Sequence, residues 1–228
     1  MIDVAAEADR LTGELRALSS TAVDPAPIIR TGLPFFGVGV GDLRRLARTW
    51  HRGNPGAAPE EVAALAENLW SRAVREEMVL AVLILGRDKR CRNLFGAETA
   101  ERWSRLIDNW ETADSLGTGL LGPWVADDPG ARFLTLETLA GNPSPWCRRL
   151  SLVGCIALAR QEEAAAWWPR VSDLVLRLAG DKEAAIPKAI SWVLREKPAI
   201  APGRWRLFSK SSARSCLRSQ CAKPETRY

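Results

Sequence analysis

The sequence predicts an all-α protein that is built from repeated pairs of helices. Three observations indicate this fold class: apolar residues recur at helical spacing along nearly the whole chain, the helix-favouring residues Ala, Leu, Arg and Glu dominate, and amphipathic helices with polar first turns recur about every 40 residues. With 228 residues, of which 46% are hydrophobic and 26% charged, the chain has the composition of a globular protein with ample material for a core.

Helices are predicted, in order along the chain, over 2–19, 24–31, 42–51, 58–71, 73–87, 98–109, 112–127, 130–139, 145–160, 163–179, 184–197, 202–209 and 211–221. Gly- and Pro-rich turns separate them, and no linker is long enough to divide two domains. We therefore expect a single domain over 1–228 with a basic tail at 209–228. Asp42 is predicted to cap its helix, and Pro187 to delay or kink the helix that contains it.

The repeat is visible at four helices that begin with a polar turn and continue into an apolar stretch. Their polar residues Arg75, Asp114, Arg149 and Lys188 are separated by 39, 35 and 39 residues. This period is typical of HEAT-type α-solenoids, in which paired antiparallel helices stack into a curved superhelix and the second helix of each pair lines a concave groove. Such a fold would place the four polar residues in one groove; alternatively, they only begin helices, where polar residues are usual.

Charge and composition exclude several classes of function. The net charge is +5, but residues 201–228 carry seven basic side chains and one acidic one, so residues 1–200 have a net charge of −1. A solitary histidine, His51, argues against catalysis through Ser-His-Asp, Cys-His or multi-His metal sites. Five cysteines without C-x-x-C spacing predict neither a structural zinc site nor disulfides, and no apolar run is long enough for a membrane span. We expect a cytoplasmic protein without metal or cofactor.

The candidate site residues combine aromatic and charged side chains at helical spacing. Trp110 lies four residues before Asp114, and Trp192 lies four residues after Lys188, so each pair is one helical turn apart. The alternative is a core Trp beside an Asp that begins a helix. The run Gly37–Gly41 is either a flexible connection or a phosphate cradle made of backbone amides. Basic residues recur near the predicted helix starts, which favours a nucleic-acid groove: Arg44, Arg45, Arg75, Arg148, Arg149 and Lys188.

With these residues in place, the sequence resembles the AlkD-like DNA alkylation repair family of bacterial DNA glycosylases over about residues 28–208. The landmarks are Phe35-Phe36-Gly37-Val38 before Leu43-Arg44-Arg45-Leu46, Leu69-Trp70 with Arg75-Glu76, Trp110-Glu111-Thr112-Ala113-Asp114, Trp146-Cys147-Arg148-Arg149, and Lys188-Ala189-Ile190-Ser191-Trp192-Val193-Leu194-Arg195-Glu196. The last of these is nearly identical to a family signature.

The resemblance implies a HEAT-like-repeat solenoid that binds duplex DNA in its concave groove, as a monomer at the nucleoid. It further implies a monofunctional glycosylase that releases cationic alkylated purines, such as 3-methyladenine, 7-methylguanine or bulkier adducts, without base flipping and leaves an abasic site. The family's catalytic trio corresponds to Trp110, Asp114 and Trp192, and Arg149 to an arginine near the lesion backbone. Some relatives bind branched or distorted DNA without base excision, which is the alternative function.

Overall fold

The computed structural model describes residues 1–19, 29–161 and 163–196. Within these ranges the chain is all-helical and has no β-strand, so the predicted fold class is confirmed. The predicted helices 202–209 and 211–221 and most of 24–31 lie outside the described residues. In the same ranges, no helix is both long and apolar enough to span a membrane.

The α-helices are Val4–Leu18 (α1), Val40–Gly53 (α2), Pro59–Ser71 (α3), Arg75–Leu85 (α4), Lys89–Arg92 (α5), Ala97–Ser104 (α6), Trp110–Leu116 (α7), Gly122–Asp127 (α8), Pro129–Ala140 (α9), Pro145–Gly154 (α10), Ile156–Ala159 (α11), Ala164–Leu178 (α12) and Ala185–Arg195 (α13).

The helices pack in two rows. In row A, α2 packs on α4, α4 on α7, α7 on α10 and α10 on α13; in row B, α1 packs on α3, α6 on α9 and α9 on α12. The rows contact each other through pairs such as α3 with α4 and α9 with α10. Buried side chains from Ala8 to Val193 form a continuous hydrophobic cluster between the helices, and Trp70 stacks on Trp103 there at 4.4 Å between ring centroids. This arrangement agrees with the predicted α-solenoid.

Ion pairs between successive repeats follow a regular spacing. Seven arginine–carboxylate pairs join residues that are 33 to 36 positions apart in the sequence: Glu67–Arg102, Arg75–Glu111, Arg92–Asp127, Asp114–Arg149, Glu137–Arg170, Arg148–Asp181 and Arg160–Glu196. One repeat length thus brings equivalent positions of neighbouring helix pairs into contact, as stacked repeats require.

Two details of the helix starts differ from the sequence prediction. Asp42 does not cap its helix, because α2 already begins at Val40; its carboxylate instead pairs with Arg45 at 2.9 Å. Pro187 does not delay α13, which begins two residues earlier at Ala185. A proline in the first helical turn is tolerated because amide groups there have no intrahelical acceptor to lose.

The predicted helix 112–127 also differs in form. The chain is helical from Trp110, but Gly117–Leu121 is π-helical before α8 begins at Gly122. Glycines allow close packing at this point: a Cβ on Gly117 would lie 2.9 Å from a Val153 methyl carbon, and one on Gly122 would lie 2.7 Å from the Gly154 carbonyl oxygen. The irregular turn begins three residues after Asp114, and π-helical turns within α-helices are frequent at functional sites.

Candidate active site

The candidate site begins at the N-terminus of α7. The Asn109 side chain, which is fully buried, accepts a hydrogen bond from the Thr112 amide at 3.0 Å and so caps the helix. Trp110 is consequently the first helical residue, and Asp114 follows one turn later on the same side of α7. The Trp110 side chain is 38% exposed, which is unusual for tryptophan and disagrees with the alternative of a core residue.

Asp114 is held by Arg149 of α10. The guanidinium donates from Nε to Oδ1 and from Nη2 to Oδ2, both at 2.7 Å, and the side chains of Asp114 and Arg149 are only 16% and 7% exposed. Burial raises the pKa of Asp114 above its usual value; the hydrogen bonds and charge of Arg149 oppose this shift, and the nearby Glu111 carboxylate adds to it. The pair fixes the orientation of the carboxylate.

Arg149 also connects Asp114 to the third helix of the site. Its Nη1 donates to the Ala185 carbonyl oxygen at 2.7 Å, at the start of α13. Because that helix carries Lys188 and Trp192, Arg149 of α10 connects the two helices that hold the predicted trio, α7 and α13. All three guanidinium nitrogens are engaged within the protein, although the sequence suggested a contact with the DNA backbone.

Trp192 and Lys188 lie one turn apart on α13, as their spacing predicts. Trp192 is partly buried against the core, and its Nε1 donates to the Glu196 carboxylate at 3.2 Å. Lys188 is exposed, and no ion pair involves it among the described residues. Of the predicted cationic residues on row A, Lys188 is thus available for a ligand.

Arg75 corrects the expectation that all the polar residues at repeat positions face a ligand. It is 4% exposed and buried between carboxylates: Nη2 donates to Glu111 and Nη1 to Glu76, both at 2.7 Å, and Nη1 also donates to the Val38 carbonyl oxygen at 3.2 Å. A phosphate cannot reach this guanidinium without breaking the ion pairs. Arg75 instead connects α4 with the first turn of α7.

Glu76 occupies the first part of the glycine run, which the sequence left open as a flexible connection or a phosphate cradle. Its fully buried carboxylate accepts hydrogen bonds from the backbone amides of Phe36, Gly37 and Val38 at 2.9, 2.7 and 3.1 Å. Gly37 has φ +79, and a glycine adopts this value without strain. Successive amides of this kind form an anion-binding nest, and an internal carboxylate fills it.

The remaining predicted basic residues differ in solvent exposure and in ion pairing. Arg148 is mostly buried and pairs with Asp181 at 2.6 Å, which lowers the pKa of that carboxyl. Arg45 is exposed and pairs with Asp42, whereas Arg44 is exposed without an ion-pair partner in the described ranges. The described residues include no cluster of three or more His, Cys, Asp or Glu that could hold a metal ion.

Sequence reasoning missed the buried acids Glu76 and Glu111. Glu111 is 9% exposed and lies between Trp110 and Asp114 along α7. Its position next to the aromatic–acid pair was visible in the sequence, but nothing there indicated that Arg75, 36 residues away, would pair with it. Asn109 was also overlooked, although an Asn before a helical run is an ordinary capping signal.

Comparison with known protein families yields a match over most of the chain. A family model described as DNA alkylation repair enzyme matches residues 14–217. A comparison with curated protein sequences finds no match.

Proposed function

Because the chain belongs to the DNA alkylation repair enzyme family, we propose that it hydrolyses the N-glycosidic bond of cationic alkylated purines in duplex DNA and leaves an abasic site. The observation that carries the proposal is the buried Asp114 carboxylate, oriented by two hydrogen bonds from Arg149 one turn after the exposed Trp110. Substrates would include 3-methyladenine and 7-methylguanine, and bulkier adducts if the base stays outside a pocket.

Release of a cationic purine needs little general acid catalysis, which suits a site to which the described residues contribute a carboxylate and tryptophans but no histidine. An N-alkylated purine already carries a positive charge, so it leaves with the electron pair of the C1′–N bond and becomes neutral without being protonated. The deoxyribose then acquires oxocarbenium character, which a fixed carboxylate stabilises electrostatically. Water adds to C1′, and its proton passes to Asp114 or to solvent. Asp114 must therefore be ionised when the bond breaks.

The two tryptophans would supply electron-rich faces. Trp110 and Trp192 belong to helices that flank α10, and their rings can attract a cationic nucleotide or a positively charged sugar. Lys188, Arg44 and Arg45 are exposed cations that can contact phosphates, which position the DNA without reading its sequence. Arg149 is proposed to act by orienting the Asp114 carboxylate, and Arg75 by holding Glu111 in the first turn of α7. The protein would act as a monomer on chromosomal DNA in the cytoplasm, in a concave groove of the solenoid and without base flipping.

The test is the release of free base from duplex DNA that contains 7-methylguanine. We expect release by the wild type and a loss of about 100-fold or more for Asp114→Asn, the scale of a removed electrostatic stabiliser. Glu137→Gln is a matched control because it alters a partly exposed carboxylate paired with Arg170, away from α7 and α13. Undiminished release by Asp114→Asn would refute the mechanism. If the wild type binds DNA but releases no base, non-catalytic binding of branched or distorted DNA replaces the proposal.

A further inference from the structure

The segment 31–38 presents one aromatic side chain to solvent. Phe35 is 40% exposed, whereas the adjacent Phe36 packs against the core, with the Arg16 guanidinium 5.9 Å from its ring centre. Among the described residues, Phe35 and Trp110 are the two exposed aromatic side chains, at 40% and 38%. The second of these is already a member of the candidate site.

The backbone on both sides of Phe35 is attached to the first turn of α4. The Pro34 carbonyl oxygen accepts from the Arg75 amide at 2.9 Å, and the Phe36 amide donates to the Glu76 carboxylate at 2.9 Å. The first turn of α4, with the buried Glu76, therefore holds the backbone that carries Phe35. Because internal hydrogen bonds tether this backbone, a contact made by Phe35 would cost little backbone conformational entropy.

The start of the same segment is attached next to Trp110. The Thr31 hydroxyl donates to the Asp108 carboxylate at 2.7 Å, and the Gly32 amide donates to the other oxygen of that carboxylate. Asp108 and the capping residue Asn109 immediately precede Trp110 in the sequence. The segment thus runs from the N-terminus of α7 to the N-terminus of α4, and both exposed aromatic residues lie at this end of row A.

The surroundings favour a polyanionic partner for this aromatic residue. Directly after the segment, α2 exposes Arg44, Arg45 and Arg48, and only Arg45 has an ion-pair partner in the described ranges. Exposed cations and an exposed apolar ring on neighbouring segments suit a DNA partner, because cations can hold phosphates while the ring packs against or between bases.

We propose that Phe35 is a DNA-contacting residue that packs against the base stack beside the modified nucleotide. The proposal rests on the proposed function, because it takes the DNA to lie across Trp110 and Asp114. Asp108 and Glu76 are positioning residues for Phe35, since they hold the segment that carries it and need not touch DNA.

The test compares Phe35→Ala with Phe35→Trp and with Leu134→Ala. Leu134 is a matched control, since it is 65% exposed on α9 in row B. Binding is measured by fluorescence anisotropy on a duplex with a tetrahydrofuran abasic-site analogue, and 2-aminopurine next to that site reports on base stacking. We expect Phe35→Ala to weaken binding about five- to 100-fold, the range for one lost base–aromatic contact. It should also abolish the 2-aminopurine change while the salt dependence stays the same. Phe35→Trp should keep both signals, and Leu134→Ala should match the wild type.

The outcomes separate this inference from the proposed function. Wild-type affinity and an unchanged 2-aminopurine signal in Phe35→Ala would overturn the role of Phe35, even if the wild type releases alkylated bases. A shallower salt dependence in Phe35→Ala would also overturn it, because phosphate contacts would then account for the loss. If Phe35→Ala loses binding while the wild type releases no base, the DNA contact stands and the glycosylase proposal fails. Phe35 is exposed, so an unchanged melting temperature is expected to accompany each result.

Discussion

Replacing Arg149 with leucine tests how the candidate site is held together. The guanidinium satisfies both carboxylate oxygens of Asp114 and the Ala185 carbonyl oxygen, each at 2.7 Å, and leucine can provide none of these hydrogen bonds. The substitution would leave a carboxylate that is only 16% exposed without its countercharge.

The expected cost follows from this burial. Removing one partner of a buried ion pair typically destabilises a protein by about 3–5 kcal/mol, because the remaining charge stays buried. Asp114→Asn in the same background removes that charge, so the double variant should be less destabilised than the sum of the single variants, by about 1–3 kcal/mol. The hydrogen bond from Arg149 to the Ala185 carbonyl oxygen of α13 is lost in Arg149→Leu and in the double variant alike.

The pH dependence has a definite sign. Burial already raises the pKa of Asp114, and Arg149 is the group that opposes the rise, so Arg149→Leu should raise it further. A carboxyl with a raised pKa in the folded state favours its protonated form there. Its unfavourable contribution therefore appears as the pH rises from the unfolded to the folded pKa. Relative to the wild type, Arg149→Leu should lose more stability at pH 8 than at pH 5. Base release by Arg149→Leu should also require a higher pH than release by the wild type.

The assay is urea unfolding of the wild type, both single variants and the double variant at these two pH values. Equal destabilisation by Arg149→Leu with and without the Asp114 charge would refute the reasoning. DNA binding adds a second criterion. Arg149→Leu should leave the slope of log affinity against log salt unchanged, and a slope shallower by about 1 would indicate a phosphate contact instead.

Three further predictions concern the packing of α4, the exposed cation of α13 and the internal nest. Gly86→Ala should destabilise the fold by about 1–3 kcal/mol in urea unfolding, because the new Cβ would lie 2.2 Å from the Gly119 carbonyl oxygen. Gly13→Ala should instead be stabilising, since a Cβ there on α1 would meet open space. A Gly86→Ala variant more stable than Gly13→Ala would contradict the packing. Lys188→Ala should make the salt dependence of DNA binding shallower by about 1, unlike the control Arg177→Ala on row B helix α12, and equal slopes would remove Lys188 from the interface. Glu76→Gln should cost about 3 kcal/mol and speed hydrogen exchange of the amides it binds, whereas unchanged protection of those amides would show that the carboxylate does not hold the segment.

The all-helical fold and its repeat were predictable because both depend on local patterns. Apolar spacing, capping residues and turn residues act within a few positions, and they predicted the helices that carry Asp114, Trp192 and Lys188. The helix of Asp114 begins at Trp110, two residues before its predicted start. The repeat of 35 to 39 residues in the sequence is close to the spacing of 33 to 36 residues between ion-pair partners, such as Asp114 and Arg149. The Trp110–Asp114 spacing needs only one helical turn, so the sequence alone indicated that these residues share a face.

The roles of the individual charges were decided by the tertiary structure. Arg75 and Lys188 occupy equivalent repeat positions, yet one is buried between Glu76 and Glu111 and the other is exposed. Likewise, the backbone amides of residues 36–38 form an anion nest at the start of the glycine run, and the carboxylate of Glu76, 38 to 40 residues away, fills it.

By itself, then, the sequence determined the fold class, the repeat and the face shared by Trp110 and Asp114. Only the tertiary structure decided that Arg149 forms an ion pair with Asp114, that Glu76 binds the backbone of the segment that carries Phe35, and that Arg75 is buried. The physical reason is range. Helix formation is specified by residues within a turn or two, whereas the partner of a long charged side chain depends on which helix packs beside it one repeat later.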